Sequence, residues 1–282
     1  MAVRALEPRT LVDLDRYPVL DLSNPTAREV IAEARAQLAA IGAAELPGFV
    51  GPRGVAALVD DAEALAVRAH HSGGLGTAYL ELPDFDLPED HPRRWLGPFG
   101  TGAVPYDVIP RSSPLRLLYE WDRLIELIAA VLDRGPLYRY ADPFGALNVA
   151  VMRHGDELQW HYDQTDFVVS LAIQPAEQGG DFQVVPRVRS ETDERYEAVA
   201  AVLSGENTAD ILTLPMTPGT LLIFEGRYSL HRVSPIAGSR ARHVGLLAYD
   251  TKPGTTGSNL LRMVRYGRTD PYADPPDSWP PG

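Results

Sequence analysis

The chain has 282 residues, no cysteine, a formal net charge of -12 and a pI near 5.0. The absence of cysteine excludes disulfides, thiolate nucleophiles, zinc fingers and cysteine-bound iron–sulfur clusters. The acidic balance argues against nucleic acid and anionic membrane as partners, since both attract basic surfaces. No window approaches eighteen apolar residues, and no apolar run with a small-residue cleavage site opens the sequence. We therefore expect a cytoplasmic protein with one domain over residues 1–282.

Residues 1–136 have mainly helical patterns. Asn24, Pro25 and a Thr-x-x-Glu pattern at residues 26–29 precede an Ala-rich periodic run that ends at Gly42, which predicts a helix. Ser113 and Pro114 have the residue types that begin helices. The predicted helices cover residues 30–41, 55–69 and 115–132, and a short strand is predicted over residues 43–50.

The segment 73–111 lies between the second and third predicted helices. It is rich in Gly, Pro, Asp and aromatic residues and has no clear period, which predicts a long ordered loop with one short strand near residues 77–80. Loops of that length in a compact domain are commonly functional. We therefore expect this loop to cover an active site.

Residues 137–268 alternate in hydrophobicity and are rich in β-branched side chains, which predicts a sheet. The predicted strands cover residues 147–152, 160–163, 167–174, 181–185, 211–214, 220–224 and 243–249, and a helix is predicted over residues 190–203. Helices followed by many short strands favour an α+β fold, a double-stranded β-helix (jelly roll) core braced by N-terminal helices. Residues 269–282 are predicted to form an extended tail.

Three residues in the predicted sheet have the chemistry of metal ligands. His161 and Asp163 are two residues apart in a predicted strand, so their side chains share one face. A His-x-Asp pair alone is weak evidence, because so short a motif arises by chance. His231, which follows the apolar strand over 220–224, completes a set of two histidines and one carboxylate, the facial triad of non-haem Fe(II) oxygenases.

The ordered combination of His161-x-Asp163, Gly179-Gly180, His231-Arg232-Val233 and Arg242 resembles the iron(II) and 2-oxoglutarate-dependent dioxygenases over about residues 137–268. The stretches 140–145, 166–171, 229–232 and 249–254 are similar to the bacterial branch that contains free-amino-acid hydroxylases and halogenases. Halogenases of that branch have a small residue where this chain has Asp163. The resemblance therefore implies a hydroxylase in place of a halogenase.

The resemblance also implies the cofactors Fe(II), 2-oxoglutarate and O₂, with succinate and CO₂ as co-products of C–H oxidation. Arg242 is predicted to pair with the distal carboxylate of 2-oxoglutarate, because a guanidinium binds a carboxylate bidentately. Arg240 is the alternative, and Asn148 is predicted to hydrogen-bond the other carboxylate. Strand alternation from Arg242 places Val244 and Leu246 on the same face.

The expected substrate is a small polar molecule, a free or modified amino acid, for which Arg93, Arg94 and Asp142 are the candidate binding residues. The loop 73–111 and a strand-like stretch at 260–266 are expected to cover the iron from opposite sides. Desaturation, cyclisation and epimerisation are alternatives that use the same cofactors. A catalytically silent metal-binding jelly roll is a third interpretation, and a hydrolytic zinc site is a fourth, although it leaves the arginines beyond His231 without a role.

Overall fold

The structure, a computed structural model, describes residues 6–272. Residues 273–282 of the predicted tail lie outside this range. None of the helices within it has the length and apolar character needed to cross a membrane. The α-helices of residues 6–272 are α1 (Pro25–Ile41), α2 (Pro52–Ala66), α3 (Pro114–Glu120), α4 (Asp122–Leu132), α5 (Tyr196–Leu203) and α6 (Asn259–Tyr266).

Fifteen strands follow one another in the same range. They are β1 (Ala43–Leu46), β2 (His70–Gly76), β3 (Gly97–Pro105), β4 (Tyr138–Arg139), β5 (Leu147–Met152), β6 (Leu158–His161), β7 (Val168–Gln174), β8 (Gln178–Gly179), β9 (Phe182–Val185), β10 (Leu212–Leu214), β11 (Leu221–Phe224), β12 (Leu230–Val233), β13 (Ile236–Ala237), β14 (Arg242–Leu247) and β15 (Tyr249–Asp250). Most of the strands predicted from residues 147–249 therefore form at their predicted positions.

Eleven of the strands form one antiparallel sheet in the order β1-β11-β7-β14-β5-β3-β6-β12-β9-β10, with β2 paired to β3. Strand β3 pairs along one side with β2, and along the other with β5 and, through Phe99 and Leu158, with β6. The sheet therefore runs without interruption from β14 and β5, which the helices cover, to β6 and β12, which carry His161 and His231. The sheet confirms the predicted α+β class and jelly-roll core.

The largest core lies between the N-terminal helices and one face of the sheet. Leu58 of α2 and Leu115 of α3 belong to the same buried cluster as Leu147, Val149 and Leu247 of β5 and β14. Each such side chain contributes roughly 1.5–3 kcal/mol when it leaves water. The other face of β5 and β14 is thereby directed away from the helices, toward the interior of the roll.

The predicted helix over residues 115–132 is in fact two helices. Trp121 has extended backbone dihedrals (φ -78°, ψ 119°) and separates α3 from α4. The break lets α3 contact α2 while α4 contacts α1. No Gly or Pro marks this position, so local sequence signals do not reveal a break that tertiary packing imposes.

The predicted loop 73–111 contains two strands, β2 and β3, while residues 77–80 form a turn. Sequence patterns fail here because glycines replace the alternating apolar residues of an ordinary strand. A Cβ at Gly102 would lie 3.0 Å from the carbonyl oxygen of Val151, and one at Gly100 would lie 2.9 Å from Asp156 Oδ1. Glycine in a strand commonly marks such close approaches.

Two further boundaries differ from prediction near the C-terminal half. Residues 260–266, expected to be strand-like, form the helix α6, and the predicted helix 190–203 begins only at Tyr196. Helix α6 packs against β2 and β3. The two segments that were expected to lie on opposite sides of the iron therefore contact each other.

His243, on the helix-facing side of β14, is buried, and neither ring nitrogen has a hydrogen-bond partner in the described chain. Burial lowers its pKa below the ordinary value of 6.5. The unfolded chain therefore binds a proton more readily, and His243 makes folding less favourable as the pH falls below about 6.5. We expect His243→Leu to increase the free energy of unfolding by about 1–3 kcal/mol, because an unsatisfied buried polar group is removed.

The measurement is chemical denaturation of the wild type and His243→Leu at about pH 7.5 and pH 5. The stabilisation should be larger at the lower pH. An exposed control, His154→Leu, should show neither effect. A smaller stabilisation by His243→Leu at pH 5 than at pH 7.5 would contradict the assignment of His243 as a neutral buried residue.

Candidate active site

The three predicted ligands lie together at the junction of β6 and β12. In this antiparallel pair His161 is directly opposite His231, and their ring centroids are 4.2 Å apart. Asp163 follows the end of β6, and its backbone N–H donates to the carbonyl of Gly226 at 3.1 Å. One candidate ligand atom from each of the three residues lies within 4.8 Å of the others. The side chains can therefore bind one ion.

Main-chain hydrogen bonds orient both imidazoles. His161 Nδ1 donates to the Gln159 carbonyl at 2.7 Å, and His231 Nδ1 donates to the Ser229 carbonyl at 3.0 Å. Since a carbonyl can only accept, each Nε2 keeps its lone pair. His231 Nε2 lies 3.5 Å from Asp163 Oδ2, so the free lone pair and the carboxylate converge. Such outer hydrogen bonds are typical of histidines that bind metals.

The protonation states also suit a divalent metal. Burial, assisted by the neighbouring His231, lowers the pKa of His161 to about 4. Burial acts to raise the pKa of Asp163, but interactions with the neighbouring imidazoles of His231 and His161 outweigh it and hold that pKa below its usual range. Neutral imidazole beside ionised carboxylate is the form that binds metal without first losing protons.

Gly226 makes room for the Asp163 carboxylate. A Cβ at this position would lie 1.8 Å from Asp163 Oδ2, so any other residue would displace the candidate ligand. No periodic or turn pattern in the sequence singles out Gly226, which is a glycine shortly after the apolar strand β11.

Aromatic rings surround the two histidines. Phe99 lies 5.5 Å from the His161 ring, and Phe224 and Phe182 lie 4.8 and 5.7 Å from the His231 ring, measured between centroids. Phe224 is buried. This apolar wall excludes water from one side of the triad, while the Asp163 side chain is 21% exposed and leaves the other side open.

Arg242 has an unusual environment for a cation. It is buried, and in residues 6–272 its guanidinium has no carboxylate within 4.0 Å and only the Met152 Sδ at 3.9 Å. Burial lowers its pKa to about 10, so the group is still charged at neutral pH. A buried charge without a partner is costly, which indicates that an anionic ligand completes the site.

The strand register places Arg242 in the interior of the roll. It lies opposite Met152 of β5, and Val244 and Leu246 follow on the same face. Met152 clusters with Val233 of β12, two residues beyond His231. The guanidinium thus shares the interior face with the triad. Arg240, in contrast, is exposed and donates to the carbonyls of Pro175 and Ala176 at 3.1 Å each.

Asn148 has a structural role in place of the predicted cofactor contact. Its Nδ2 donates to the carbonyls of Phe144 (2.7 Å) and Leu147 (2.6 Å), and its Oδ1 accepts from the Tyr266 hydroxyl at 2.7 Å. Both amide protons are used, so neither is left for a carboxylate of 2-oxoglutarate. Asn148 lies on the same face of β5 as Met152, four residues further along the strand.

Arg93 and Arg94 are partnered within the connection between β2 and β3. Arg93 pairs with Glu81 at 2.8 Å, and Arg94 donates to the Leu87 carbonyl at 2.7 Å and pairs with Glu89 at 3.4 Å. Neither contacts the triad in the described chain. The structure therefore does not bring these two predicted substrate residues to the candidate ligands.

Asp142 is buried and already saturated with hydrogen bonds. Its carboxylate accepts from the backbone N–H groups of Phe144, Gly145 and Gly257 and pairs with Arg262 at 3.2 Å. Burial acts to raise its pKa, but these donors hold it below the usual range. Asp142 therefore anchors the C-terminal segment and is not free to bind a substrate amine.

A substitution distinguishes this structural role from substrate binding. We expect Asp142→Asn to lower the free energy of unfolding by about 2–4 kcal/mol, because Arg262 loses the ion partner beneath it. Denaturant melts check the value. The matched control is Asp166→Asn, an exposed carboxylate at the protein surface, which should cost less than about 1 kcal/mol. Equal stability of the two variants would contradict the structural assignment.

Helix α6 carries a residue that sequence reasoning missed. Arg262, Arg265 and Tyr266 face the protein, whereas Leu260 and Val264 are 75% and 54% exposed. The positive charge of Arg265 also contributes, as the smallest of the causes, to the lowered pKa values of His161 and Asp163. The available signal was the spacing of three between arginines 262, 265 and 268, which is one helical face.

Comparison with solved structures identifies the fold. The epimerase SnoN, in a complex with Fe³⁺, alpha ketoglutarate and nogalamycin RO, is 14% identical, with a TM-score of 0.55 over 88% of this chain and 95% of that chain. AviO1 from Streptomyces viridochromogenes Tue57 is 18% identical, with a TM-score of 0.53 over 79% and 95%. An oxidoreductase of the 2OG-Fe(II) oxygenase family from Burkholderia pseudomallei is 15% identical, with a TM-score of 0.50 over 79% and 92%.

A comparison with curated proteins gives no match. The family profile named halogenase D matches residues 97–258, which is more than half of the sequence and includes all three candidate ligands and Arg242. These findings confirm the resemblance predicted from the sequence. The chain belongs to the halogenase D family, and its fold is that of solved 2OG-Fe(II) oxygenases.

Proposed function

We propose that the protein is an Fe(II)- and 2-oxoglutarate-dependent dioxygenase that hydroxylates an unactivated C–H bond of a free or modified amino acid. The observation that carries this proposal is the buried, unpaired Arg242 on the same interior face as a complete facial triad. A hydrolytic zinc site would use the triad but would leave Arg242 without a partner. An acidic dicarboxylate cofactor satisfies both features.

The donor set fits Fe(II). His161 Nε2, His231 Nε2 and the Asp163 carboxylate would hold the ion, and three protein ligands leave positions for 2-oxoglutarate and O₂. The bound metal and cofactor together supply an oxidant for C–H bonds, with succinate and CO₂ as co-products. The chain's own residues orient the ligands, bind the distal carboxylate at Arg242 and exclude water through the phenylalanines around His231.

Asp163 supports hydroxylation over halogenation, despite the name of the family. Halogenation of the kind implied by the resemblance needs a small residue that leaves a coordination position for halide. Here a carboxylate occupies that position, and Gly226 provides the space that the carboxylate needs. The two residues fit together, which supports a ligand role for Asp163.

The substrate class rests on the resemblance to the branch with free-amino-acid hydroxylases and on the lining beside the triad. Phe99 of β3 lies against the His161 ring, and the Asp163 side chain is 21% exposed. A partly open site with an aromatic wall and a charged group suits a small molecule that has both a polar and an apolar part.

The test is anaerobic reconstitution with Fe(II) and 2-oxoglutarate, followed by exposure to O₂ with a panel of amino acids. We expect a weak visible charge-transfer band before O₂, and afterwards succinate release stimulated by one panel member, whose product gains one oxygen atom. Loss of two hydrogens would assign desaturation or cyclisation, and an unchanged mass with inverted stereochemistry would assign epimerisation. Absence of the band in metal-replete protein would overturn the proposal.

A further inference from the structure

The three residues of the triad are held in place in different ways. His161 and His231 lie opposite each other in the ladder between β6 and β12, and each ring donates to a main-chain carbonyl two residues earlier. Strand β6 ends at His161, so Asp163 lies beyond the ladder, in the loop 162–167 that leads to β7. The position of Asp163 therefore depends on the contacts that this loop makes with other parts of the chain.

The loop 225–229, which joins β11 to β12, lies beside the loop that carries Asp163. The Asp163 N–H donates to the carbonyl of Gly226 at 3.1 Å. A Cβ at Gly226 would lie 1.8 Å from Asp163 Oδ2, so the two loops are in contact at the carboxylate itself. A residue of the loop 225–229 is therefore well placed to hold Asp163 where it is.

Arg227 connects the two loops through its side chain. Its Nη2 donates to the carbonyl of Gln164 at 2.6 Å, and its Nε donates to Asp166 Oδ1 at 2.6 Å. The Asp166 side chain is 60% exposed, so that ion pair contributes little. The bond to Gln164 has a charged donor, which makes it stronger than a bond between neutral groups, and it holds the residue directly after Asp163.

The main chain of Arg227 is fixed as well. Its carbonyl accepts from Arg189 Nε at 2.8 Å, and the guanidinium of Arg189 lies 3.9 Å from the ring centroid of Tyr162, which directly precedes Asp163. The side chain of Arg189 is only 14% exposed. The backbone is therefore held on both sides of Asp163, at Tyr162 by Arg189 and at Gln164 by Arg227.

We propose that Arg227 is a positioning residue that holds Asp163 beside the two imidazoles and so determines how tightly the site binds its metal. This inference rests on the proposed function, because it concerns the metal site of that enzyme. Loss of an outer partner of a metal ligand weakens metal binding about ten- to a hundredfold. If Arg227 acted only through its charge, it would repel a divalent cation, and its removal would strengthen binding instead.

The test measures metal affinity in the absence of turnover. Zn(II), a redox-inert substitute for Fe(II), is titrated calorimetrically into the metal-free protein, and the visible spectrum of bound Co(II) reports the set of ligands. The proteins compared are the wild type, Arg227→Met, Arg227→Lys and the control Arg134→Met. The side chain of Arg134 is 37% exposed, against 38% for Arg227, and pairs with the carboxylates of Asp166 and Glu225.

Arg227→Met should weaken Zn(II) binding about ten- to a hundredfold. Arg227→Lys should weaken it less, because lysine can still donate one hydrogen bond to the Gln164 carbonyl, and Arg134→Met should not weaken it. The Co(II) spectrum of Arg227→Met should shift toward that of Asp163→Ala.

A double-mutant cycle separates positioning from a general structural defect. When Arg227→Met is combined with Asp163→Ala, it should have no further effect on Zn(II) binding, because the ligand through which it acts is absent. A general defect would weaken binding in both backgrounds. If Arg227→Met does not fold, as judged by circular dichroism, the same cycle is measured with Arg227→Lys.

Three results would overturn the inference. They are unchanged or tighter Zn(II) binding by Arg227→Met, an equal loss in Arg134→Met, and an equal further loss when Arg227→Met is added to Asp163→Ala. The wild type tests the proposed function separately. If it binds neither Zn(II) nor 2-oxoglutarate, the proposed function fails together with the inference; if it binds both and any of the three results is found, only the role of Arg227 is lost.

Discussion

Arg242→Ala should weaken 2-oxoglutarate binding at least a hundredfold. A guanidinium paired with a carboxylate in a buried site contributes roughly 3–5 kcal/mol, or about two to three and a half decades in affinity. Arg240→Ala is the matched control, since that arginine is exposed and donates to main-chain carbonyls, and it should change the affinity by less than about tenfold. Anaerobic titration of the visible band measures both values.

The stability of the cofactor-free protein distinguishes cofactor binding by Arg242 from a purely structural role. Because Arg242 is charged, buried and without a protein carboxylate, Arg242→Met should make the cofactor-free protein more stable while it abolishes the increase in melting temperature that 2-oxoglutarate produces. Opposite signs for the two effects are the expected result. A larger loss of cofactor affinity in Arg240→Ala than in Arg242→Ala would move the binding residue to Arg240.

His161→Ala, Asp163→Ala and His231→Ala should each lower metal affinity more than about a hundredfold and abolish succinate formation, because removal of outer partners alone costs about ten- to a hundredfold. The fold should persist, since the three side chains converge on a common point and the two histidines donate only to main-chain carbonyls. Metal content after dialysis against limiting iron and the far-UV circular dichroism spectrum measure the two properties.

The chain offers matched controls for these three variants. His154→Ala removes an exposed histidine and Asp166→Ala an exposed carboxylate three residues beyond Asp163, and both should retain metal and turnover. Gly226→Ala is a sharper probe, because its methyl group would occupy the place of Asp163 Oδ2 and should weaken metal binding although no ligand is removed. Normal turnover by any of the three ligand variants under limiting iron would show that the triad is misassigned.

The strands with β-branched or alternating residues are predictable, because the alternation of apolar and polar side chains is visible in the sequence itself. Strands β2 and β3 are not, since their glycines are required by backbone and side chains from other strands, such as the Val151 carbonyl beside Gly102. The sequence pattern predicts a strand at α6 because the apolar residues of this helix face solvent and its arginines face inward. That orientation reverses the usual relation between hydrophobicity and burial.

At the site, residue types and spacing predict the metal ligands. They do not predict which other polar side chains already have hydrogen-bond partners within the protein. Asp142 is saturated partly by Gly257 and Arg262, more than a hundred residues later in the chain, and Asn148 by the hydroxyl of Tyr266. Such partners are visible only after folding.

The ion pairs at both ends of α6 limit how a substrate can reach the iron. Outward movement of the helix would strip the cations from Asp142 and Asp107, which are only 2% and 4% exposed in their side chains. Uncovering either carboxylate without its partner costs about 3–5 kcal/mol, so for a single broken pair fewer than roughly one molecule in a hundred would be open at any instant. Ligands would then exchange on the side where Asp163 meets solvent, while α6 stays in its place against β2 and β3.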